Sequence, residues 1–306
     1  MTKVLIATEK PFAKEAIEQI SVIFNEAGFE IKILEKYKEK SDLLNTVADV
    51  DAIIIRSDII DKEVIDAALQ LKIVVRAGAG YDNVDLKAAS DKNVVVMNTP
   101  GQNANAVAEL AVGMMIYLIR NGFNGTAGTE LRNKKLGIHA YGAVGRIVGL
   151  IGKGLGMKVF AFDPFIDKIV IENDGVQAVD SAEALYSKCQ YISLHIPAND
   201  KTKNSIGFEL LNSMPKGAML VNTARKEVIY EAGLLKAFNN RDDFKYASDI
   251  APACEPEIAE KYCGRYFFTP KKMGAQTAEA NINAGVAAAK QIVGFITKGD
   301  KTFQVN

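Results

Sequence analysis

The residue types best suited to catalysis follow predicted strands in the C-terminal half of the chain. Arg225, in VNTARKEVI, can fork onto a carboxylate and polarise a neighbouring hydroxyl or carbonyl oxygen. Asp249 and Glu255, in DIAPACEPE, can face a cofactor or orient an acid/base group, and Lys271 and Lys272 lie in the loop TPKKMGAQTAEA. The structural alternatives are a surface arginine, acids that cap turns and a solvated lysine pair.

Histidine is the usual acid/base residue near neutral pH, and this chain has only two. His195, in SLHIP, ends a predicted strand and is by type the first candidate for a catalytic base. Ile196 and Pro197 follow it directly, so a rigid ring that walls a cofactor site is the alternative. His139 lies inside a strand and is predicted to pack.

A glycine turn in residues 136–165 gives the strand, turn, helix and strand pattern of a nucleotide-binding unit. Its motif is AxGxxG, because Ala140 takes the place of the usual first glycine; we expect its small methyl group to cost little. An ordinary tight turn is the alternative. The predicted cofactor-binding residues are Tyr141, Gly142, Ala143, Val144, Gly145, Asp163, His195, Ile196, Pro197, Thr223, Ala224 and Asp249.

The N-terminal half carries cationic side chains at predicted strand ends. The turn in VVRAGAGYDNVD could also present backbone N–H groups to an anion. Together these groups suit a substrate with more than one negative charge. The predicted substrate-binding residues are Lys10, Arg56, Ser57, Arg76, Ala77, Gly78 and Ala79.

Composition limits the classes of function. The chain has 306 residues with 37 basic and 37 acidic side chains, so no charge excess favours nucleic acid or a membrane surface as partner. No apolar run approaches the roughly 20 residues that span a bilayer, and MTKVLIATEK is too short in its apolar part for a signal peptide. Three cysteines without CxxC spacing predict reduced thiols, no metal site and a cytoplasmic protein.

Apolar strand candidates alternate with amphipathic helix candidates along the whole chain, which predicts an α/β protein with open parallel sheets. A first domain is expected to end near Asn98. The apolar helix predicted at residues 103–120 is then expected at a domain or subunit junction. A second alternating series follows the linker at residues 121–128, and two sheets predict a cleft where ligand and cofactor meet.

These motifs, with NTPG at residues 98–101, AVAELAVG at residues 106–113 and the CEP tripeptide, resemble the D-isomer-specific 2-hydroxyacid dehydrogenases in family order. The resemblance implies two doubly wound parallel-sheet domains, flavodoxin-like and Rossmann: a substrate domain of residues 1–98 plus 284–306 and an NAD-binding domain of residues 99–283. It implies a homodimer formed through the long helix. It also implies hydride transfer from C2 of a hydroxy acid, with Arg225 holding the carboxylate. Asp163, with no arginine after it, favours NAD over NADP.

One departure from the family concerns its acid/base residue, usually a histidine before the last helix. Aligned from downstream, Lys272 takes that place; aligned from Thr269 and Pro270, Lys271 does. A lysine can serve if its pKa falls from about 10.4 towards neutrality. The spacing from Asp249 to Glu255 is one residue longer than usual, so the role of Glu255 stays open.

A lysine at this place, the TEKPF segment and the short linker are similar to family members that oxidise D-3-phosphoglycerate to 3-phosphohydroxypyruvate in L-serine synthesis. The resemblance places the phosphate on Lys10, Arg56 and Arg76. With no regulatory domain, no inhibition by serine through one is expected. The alternatives are a glyoxylate, hydroxypyruvate or D-lactate dehydrogenase and, on the same fold, a non-enzymatic NAD-sensing regulator.

Overall fold

The computed structural model describes residues Met1 to Asn306. By their internal contacts these form two compact units: a first unit of Met1–Asn103 with Gln276–Asn306, and a second unit of Ala104–Ala275. These boundaries fall near, but not at, the predicted ones, and the assignment of substrate and cofactor to the two domains stays a prediction.

The first unit contains one parallel sheet of five strands in the order β2-β1-β3-β4-β5, the flavodoxin-like order. Its elements are β1 (Lys3–Thr8), α1 (Lys14–Glu26), β2 (Glu30–Glu35), α2 (Lys40–Thr46), β3 (Ala52–Ile55), α3 (Lys62–Ala67), β4 (Ile73–Arg76), α4 (Leu86–Asp91), β5 (Val95–Asn98) and, from the end of the chain, α12 (Ala278–Lys298).

The second unit contains a parallel sheet of seven strands in the order β12-β11-β10-β9-β6-β7-β8. Its elements are α5 (Ala104–Ile119), a 3-10 turn (Asn121–Phe123), β6 (Lys135–His139), α6 (Ala143–Gly154), β7 (Lys158–Phe162), α7 (Lys168–Asn173), β8 (Gln177–Ala178), α8 (Ala182–Lys188), β9 (Tyr191–Leu194), α9 (Phe208–Ser213), β10 (Met219–Asn222), a second 3-10 turn (Lys226–Val228), α10 (Glu231–Asn240), β11 (Lys245–Ser248), α11 (Glu255–Lys261) and β12 (Tyr266–Phe268). Counted from β6, the strand order is that of a Rossmann sheet. The predicted fold class, two doubly wound parallel sheets, is confirmed.

Hydrophobic periodicity explains why these elements form. The four residues of β3 are fully buried, as expected for a central strand covered on both faces. In α1 the buried residues Ala16, Ile20 and Phe24 recur every four positions, the spacing of one helix face. Helix α12 packs on α1, and a Cβ at Gly285 would lie 2.9 Å from Ile20 Cδ1, so glycine permits this close approach.

Helix α5 is apolar because it is buried within the second unit. Nine of its sixteen residues are buried, and it packs against α6, β10 and β11. Its exposed positions include Asn105, Glu109 and Gly113, which recur at helical spacing. Burial inside its own unit therefore accounts for its composition, and the homodimer through this helix stays a prediction. No helix in the structure combines the length and apolarity needed to cross a membrane.

Candidate active site

The candidate site of the second unit lies at the carboxyl edge of its sheet. The strand order reverses between β6 and β9: β7 and β8 are added on one side of β6, and β9 to β12 are added on the other. Loops after such a switch point form the binding crevice of open α/β sheets. The N–H of His195 bonds the carbonyl of His139 at 2.9 Å and joins the ends of these two strands.

The glycine turn after β6 leaves backbone N–H groups open to an anion, as predicted for a pyrophosphate. Arg146 N–H makes the first helical bond, to the Gly142 carbonyl at 3.0 Å, so the preceding N–H groups point out of the helix start. A Cβ at Gly142 would meet nothing within 4 Å, so a ligand can approach this backbone. A Cβ at Gly145 would lie 2.3 Å from the Ala140 carbonyl oxygen, because α6 packs directly on the turn.

Ala140 adopts a left-handed backbone conformation with φ of +78°. The expectation that alanine costs little here is wrong, because the difficulty lies in its backbone rather than in the volume of its methyl group. Left-handed backbone costs a residue with a Cβ about 1 kcal/mol, and glycine avoids that cost.

Asp163 follows β7 at the position predicted for the ribose contact. One carboxylate oxygen accepts the N–H of Tyr141 at 2.8 Å, and the other accepts the N–H of Phe165 at 2.8 Å. Each oxygen keeps a free lone pair, so the carboxylate can still accept ribose hydroxyls. These contacts also fix the carboxylate beside the glycine turn.

His195 is held on both ring nitrogens. Nε2 lies 2.9 Å from Ser193 Oγ, and Nδ1 lies 3.5 Å from Thr223 Oγ1. Burial lowers the pKa of His195 to about 3, so the ring is neutral at physiological pH and a weak base. This arrangement favours a role for His195 as a rigid ring lining the predicted cofactor site, rather than as a catalytic base. His139 contacts Tyr186, and burial lowers its pKa to about 4.

Arg225 lies just beyond β10 in a backbone fixed by Asn222. The Asn222 side chain accepts the N–H of Ala224 at 2.9 Å and donates to the Arg225 carbonyl at 3.0 Å. The Arg225 guanidinium itself makes one protein hydrogen bond, to the Ala224 carbonyl at 3.0 Å. Most of its donors are therefore available for a ligand carboxylate.

Arg225, Asp249 and Lys272 line the same surface depression. Lys271 and Glu255 do not belong to it. Glu255 is exposed as the first residue of α11, while the neighbouring Ala253 and Cys254 N–H groups bond the Glu231 carboxylate. The depression is lined by residues 222–226, residues 248–250 and Lys272.

In the first unit the Arg56 guanidinium is already engaged. It donates to the Lys10 carbonyl and the Pro11 carbonyl, each at 3.0 Å, and to the Asn281 amide oxygen. It also lies 5.3 Å from the centre of the Phe12 ring. Arg56 thus shapes the loop that carries the exposed Lys10, while the neighbouring Ser57 is exposed.

The turn after β4 differs from the predicted nest of three N–H groups. The N–H groups of Ala77 and Gly78 bond the carbonyls of Ile55 at 2.8 Å and Arg76 at 2.9 Å. Of the three N–H groups, only that of Ala79 is left for a ligand. The prediction of a three-N–H anion nest is therefore wrong. Arg76 Nε donates to the Arg56 carbonyl at 3.0 Å, and its guanidinium lies over Gly78.

The sequence interpretation missed the residue that organises this edge. Asp58 is 2% exposed and accepts the Glu9 N–H at 2.7 Å, the Tyr37 hydroxyl at 2.8 Å and the Arg56 N–H at 3.1 Å. An acid just after a buried strand was the available signal, the same one that drew attention to Asp249.

Comparison with known proteins places the chain in a family. Residues 4–306 match the model described as D-isomer specific 2-hydroxyacid dehydrogenase, catalytic domain. The chain belongs to this family. Its relatives include the D-3-phosphoglycerate dehydrogenase of Methanocaldococcus jannaschii, 34% identical over 86% of this chain and 54% of the relative. The chain thus spans about half the length of that curated relative.

Two further comparisons cover nearly whole chains. The hydroxypyruvate reductase of Thermotoga maritima is 31% identical over 95% of this chain and 98% of the relative. The crystal structure of NAD⁺-bound 3-phosphoglycerate dehydrogenase of Entamoeba histolytica is 48% identical, covers 100% of this chain and 98% of its own, and superposes with a TM-score of 0.88.

Proposed function

We propose that this chain is an NAD-dependent dehydrogenase that oxidises D-3-phosphoglycerate to 3-phosphohydroxypyruvate, the reaction that begins L-serine synthesis. The observation that carries the proposal is the depression in which Arg225, with most of its donors available, lies beside Lys272. The NAD⁺-bound structure at 48% identity supports the cofactor, and the relative from Methanocaldococcus jannaschii supports the substrate.

Bound NAD supplies the hydride acceptor. Its pyrophosphate would lie against the open backbone at Gly142, and Asp163 would accept the ribose hydroxyls. His195, neutral and held on both ring nitrogens, would wall the nicotinamide side. These roles use only groups that the fold already holds in place.

Arg225 and Lys272 would handle the hydroxy acid. Arg225 forks onto the carboxylate and the C2 oxygen, which orients the C2 hydrogen and stabilises the developing charge. The C2 hydroxyl proton passes to the neutral Lys272 amine as the C2 hydrogen leaves as hydride, and C2 becomes a carbonyl. Since the amine must be deprotonated to accept this proton, oxidation should accelerate as Lys272 loses its own proton with rising pH.

Lys272 is favoured over Lys271 because only Lys272 lines the depression with Arg225. Lys271 is exposed, and its carbonyl accepts the Thr269 hydroxyl at 2.9 Å. The family role of Glu255 stays a prediction, since Asp249 is the only carboxylate in the lining. Lys10 and Arg76, cationic groups at the carboxyl edge of the first sheet, support a phosphorylated substrate.

A substrate panel tests the proposal. NADH fluorescence would follow reduction of 3-phosphohydroxypyruvate, hydroxypyruvate, glyoxylate and pyruvate by the purified chain. We expect the highest kcat/KM with the phosphorylated acid. A preference for hydroxypyruvate or glyoxylate would instead support the alternative that the Thermotoga maritima relative represents, and NADH binding without turnover of any acid would support a regulator.

A further inference from the structure

The carboxylate of Asp249 is bonded to the segment that carries Lys272. Asp249 is 2% exposed, and its two oxygens accept the N–H groups of Met273 at 2.8 Å and Gly274 at 2.9 Å. The Thr269 hydroxyl lies 3.2 Å from the same carboxylate. Its protein bonds thus reach the segment on both sides of Lys272.

The segment is also confined by shape. A Cβ at Gly274 would lie 2.8 Å from Asp249 Oδ2 and 3.3 Å from Val107 Cγ2, so the backbone rests directly on the carboxylate. At the other end, Thr269 N–H bonds the Ser248 carbonyl at 3.1 Å. Residues 270–273 are exposed between these two anchors, which therefore fix the backbone on both sides of Lys272.

We propose that Asp249 is a positioning residue that holds Lys272 in the depression that Arg225 also lines, through the backbone of Met273 and Gly274. This differs from the sequence-based role, in which Asp249 contacts the cofactor. The inference rests on the proposed function, because it gives Lys272 the acid/base role.

Two oxygens are needed for this arrangement. A carboxylate accepts both neighbouring N–H groups, whereas an asparagine amide has one oxygen and turns an NH₂ donor towards the other N–H. The Asp249→Asn substitution keeps the volume but loses one bond and opposes two donors. A displacement of about 1 Å at a reacting group can cost about 10²-fold in rate.

The chain offers a matched control at the amino edge of the same sheet. There the Asp243 carboxylate accepts two consecutive backbone N–H groups, those of Gly217 at 2.6 Å and Ala218 at 3.4 Å. Both N–H groups bond the same oxygen, Oδ2, and the carboxylate also accepts the Arg241 guanidinium at 2.7 Å. The Asp243→Asn substitution therefore removes a comparable negative charge at the opposite end of the strands from the depression, but its single amide oxygen can keep both backbone bonds. It should affect stability without a specific effect on turnover.

The test compares Asp249→Asn, Gly274→Ala, Lys272→Ala and Asp243→Asn in the full chain. Hydrogen exchange of residues 268–276 without ligand reports the backbone, NADH titration reports cofactor affinity, and kcat reports the chemistry. For Asp249→Asn and Gly274→Ala we expect faster exchange of the Met273 and Gly274 amides by at least about tenfold. We also expect kcat to fall by about 10²-fold, with NADH affinity unchanged.

A double-mutant cycle separates positioning from general damage. If Asp249 acts through Lys272, Asp249→Asn should lower kcat no further in the Lys272→Ala background. Weaker NADH binding with unchanged hydrogen exchange in Asp249→Asn would overturn the positioning role in favour of a cofactor contact. The positioning role would also be overturned if Asp249→Asn lowered kcat by the same factor in the Lys272→Ala background as in the unmodified chain. Full turnover of Lys272→Ala would overturn the acid/base role of Lys272 and with it this inference, but not the proposed function. No turnover of any acid by the unmodified chain would overturn the proposed function, and the exchange data would still report the backbone anchor.

Discussion

The carboxyl edges of the two sheets each have a buried aspartate and an arginine, but the two arginines differ in how many protein hydrogen bonds they make. Each edge has a buried aspartate just after a strand, Asp58 in the first unit and Asp249 in the second. Asp58 accepts two backbone N–H groups and the Tyr37 hydroxyl. Asp249 accepts two backbone N–H groups and shares the Thr269 hydroxyl with the Lys271 carbonyl. Arg56, beside Asp58, is bonded to two carbonyls and an amide oxygen, whereas Arg225 is bonded to one carbonyl.

This difference shows that the neighbours of an arginine at a strand end decide whether its guanidinium is bonded to the protein or is available to a ligand. In the first unit the guanidinium stabilises the loop at Lys10, and in the second unit Asn222 fixes the backbone so that the guanidinium need not. We therefore propose that the availability of donors, rather than residue type, distinguishes an arginine that binds substrate.

In the comparison of the two edges, the largest expected effect comes from removing each arginine. Arg225→Ala should lower kcat/KM by about 10³-fold, because it removes the donors that hold the substrate carboxylate and the developing charge. Arg56→Ala should lower thermal stability more than Arg225→Ala does, because it breaks three protein contacts. Steady-state kinetics and thermal melts of both variants measure this contrast. A larger loss of kcat/KM in Arg56→Ala, with a larger loss of thermal stability in Arg225→Ala, would contradict the structural role of Arg56 and the ligand-binding role of Arg225.

The aspartate of the first edge should matter mainly for stability. Asp58→Ala leaves the Glu9 and Arg56 N–H groups and the Tyr37 hydroxyl without their acceptor, which should cost about 3 kcal/mol of unfolding free energy. Tyr37→Phe removes one of these bonds and should cost about 1 kcal/mol. Urea denaturation checks both values, and equal losses would show that Asp58 does not act as a shared acceptor.

The sequence predicted the frame of both edges better than their internal contacts. Strand alternation predicted the two sheets, and spacing alone predicted that Asp163 lies beside the glycine turn. The sequence could not show that Arg56 bonds backbone carbonyls or that the N–H groups of Ala77 and Gly78 are bonded to carbonyls. Nor could it show that Asp249 bonds the loop that carries Lys272. Those facts depend on residues that are distant in sequence and meet only in the fold.

The two units should also differ in how their stability responds to acid, because both histidines of the chain lie in the second unit. The pKa of His139 is lowered to about 4 by burial, so below its ordinary value the unfolded chain binds a proton that the folded chain does not. Stability should therefore fall as pH drops from about 6.5 towards 4, by on the order of 2 kcal/mol for this group. His139→Gln should flatten that part of the curve, and an unchanged slope would contradict the assignment.

The smallest expected effect concerns the strained turn of the second edge. Ala140→Gly should raise the free energy of unfolding by up to about 1 kcal/mol, because glycine adopts positive φ without a Cβ clash. Thermal melts of this variant beside Ala143→Gly, which lies at the start of α6, separate relief of strain from a general effect of glycine. A loss of stability in Ala140→Gly would show that the left-handed backbone carries little cost.

The most direct test of the central claim is turnover of D-3-phosphoglycerate by Lys272→Ala and Lys271→Ala, measured as NADH formation across pH. We expect Lys272→Ala to lose about 10²-fold to 10⁴-fold in kcat, because the proton acceptor is gone, while Lys271→Ala keeps near-full turnover. Near-full turnover by both variants would contradict it.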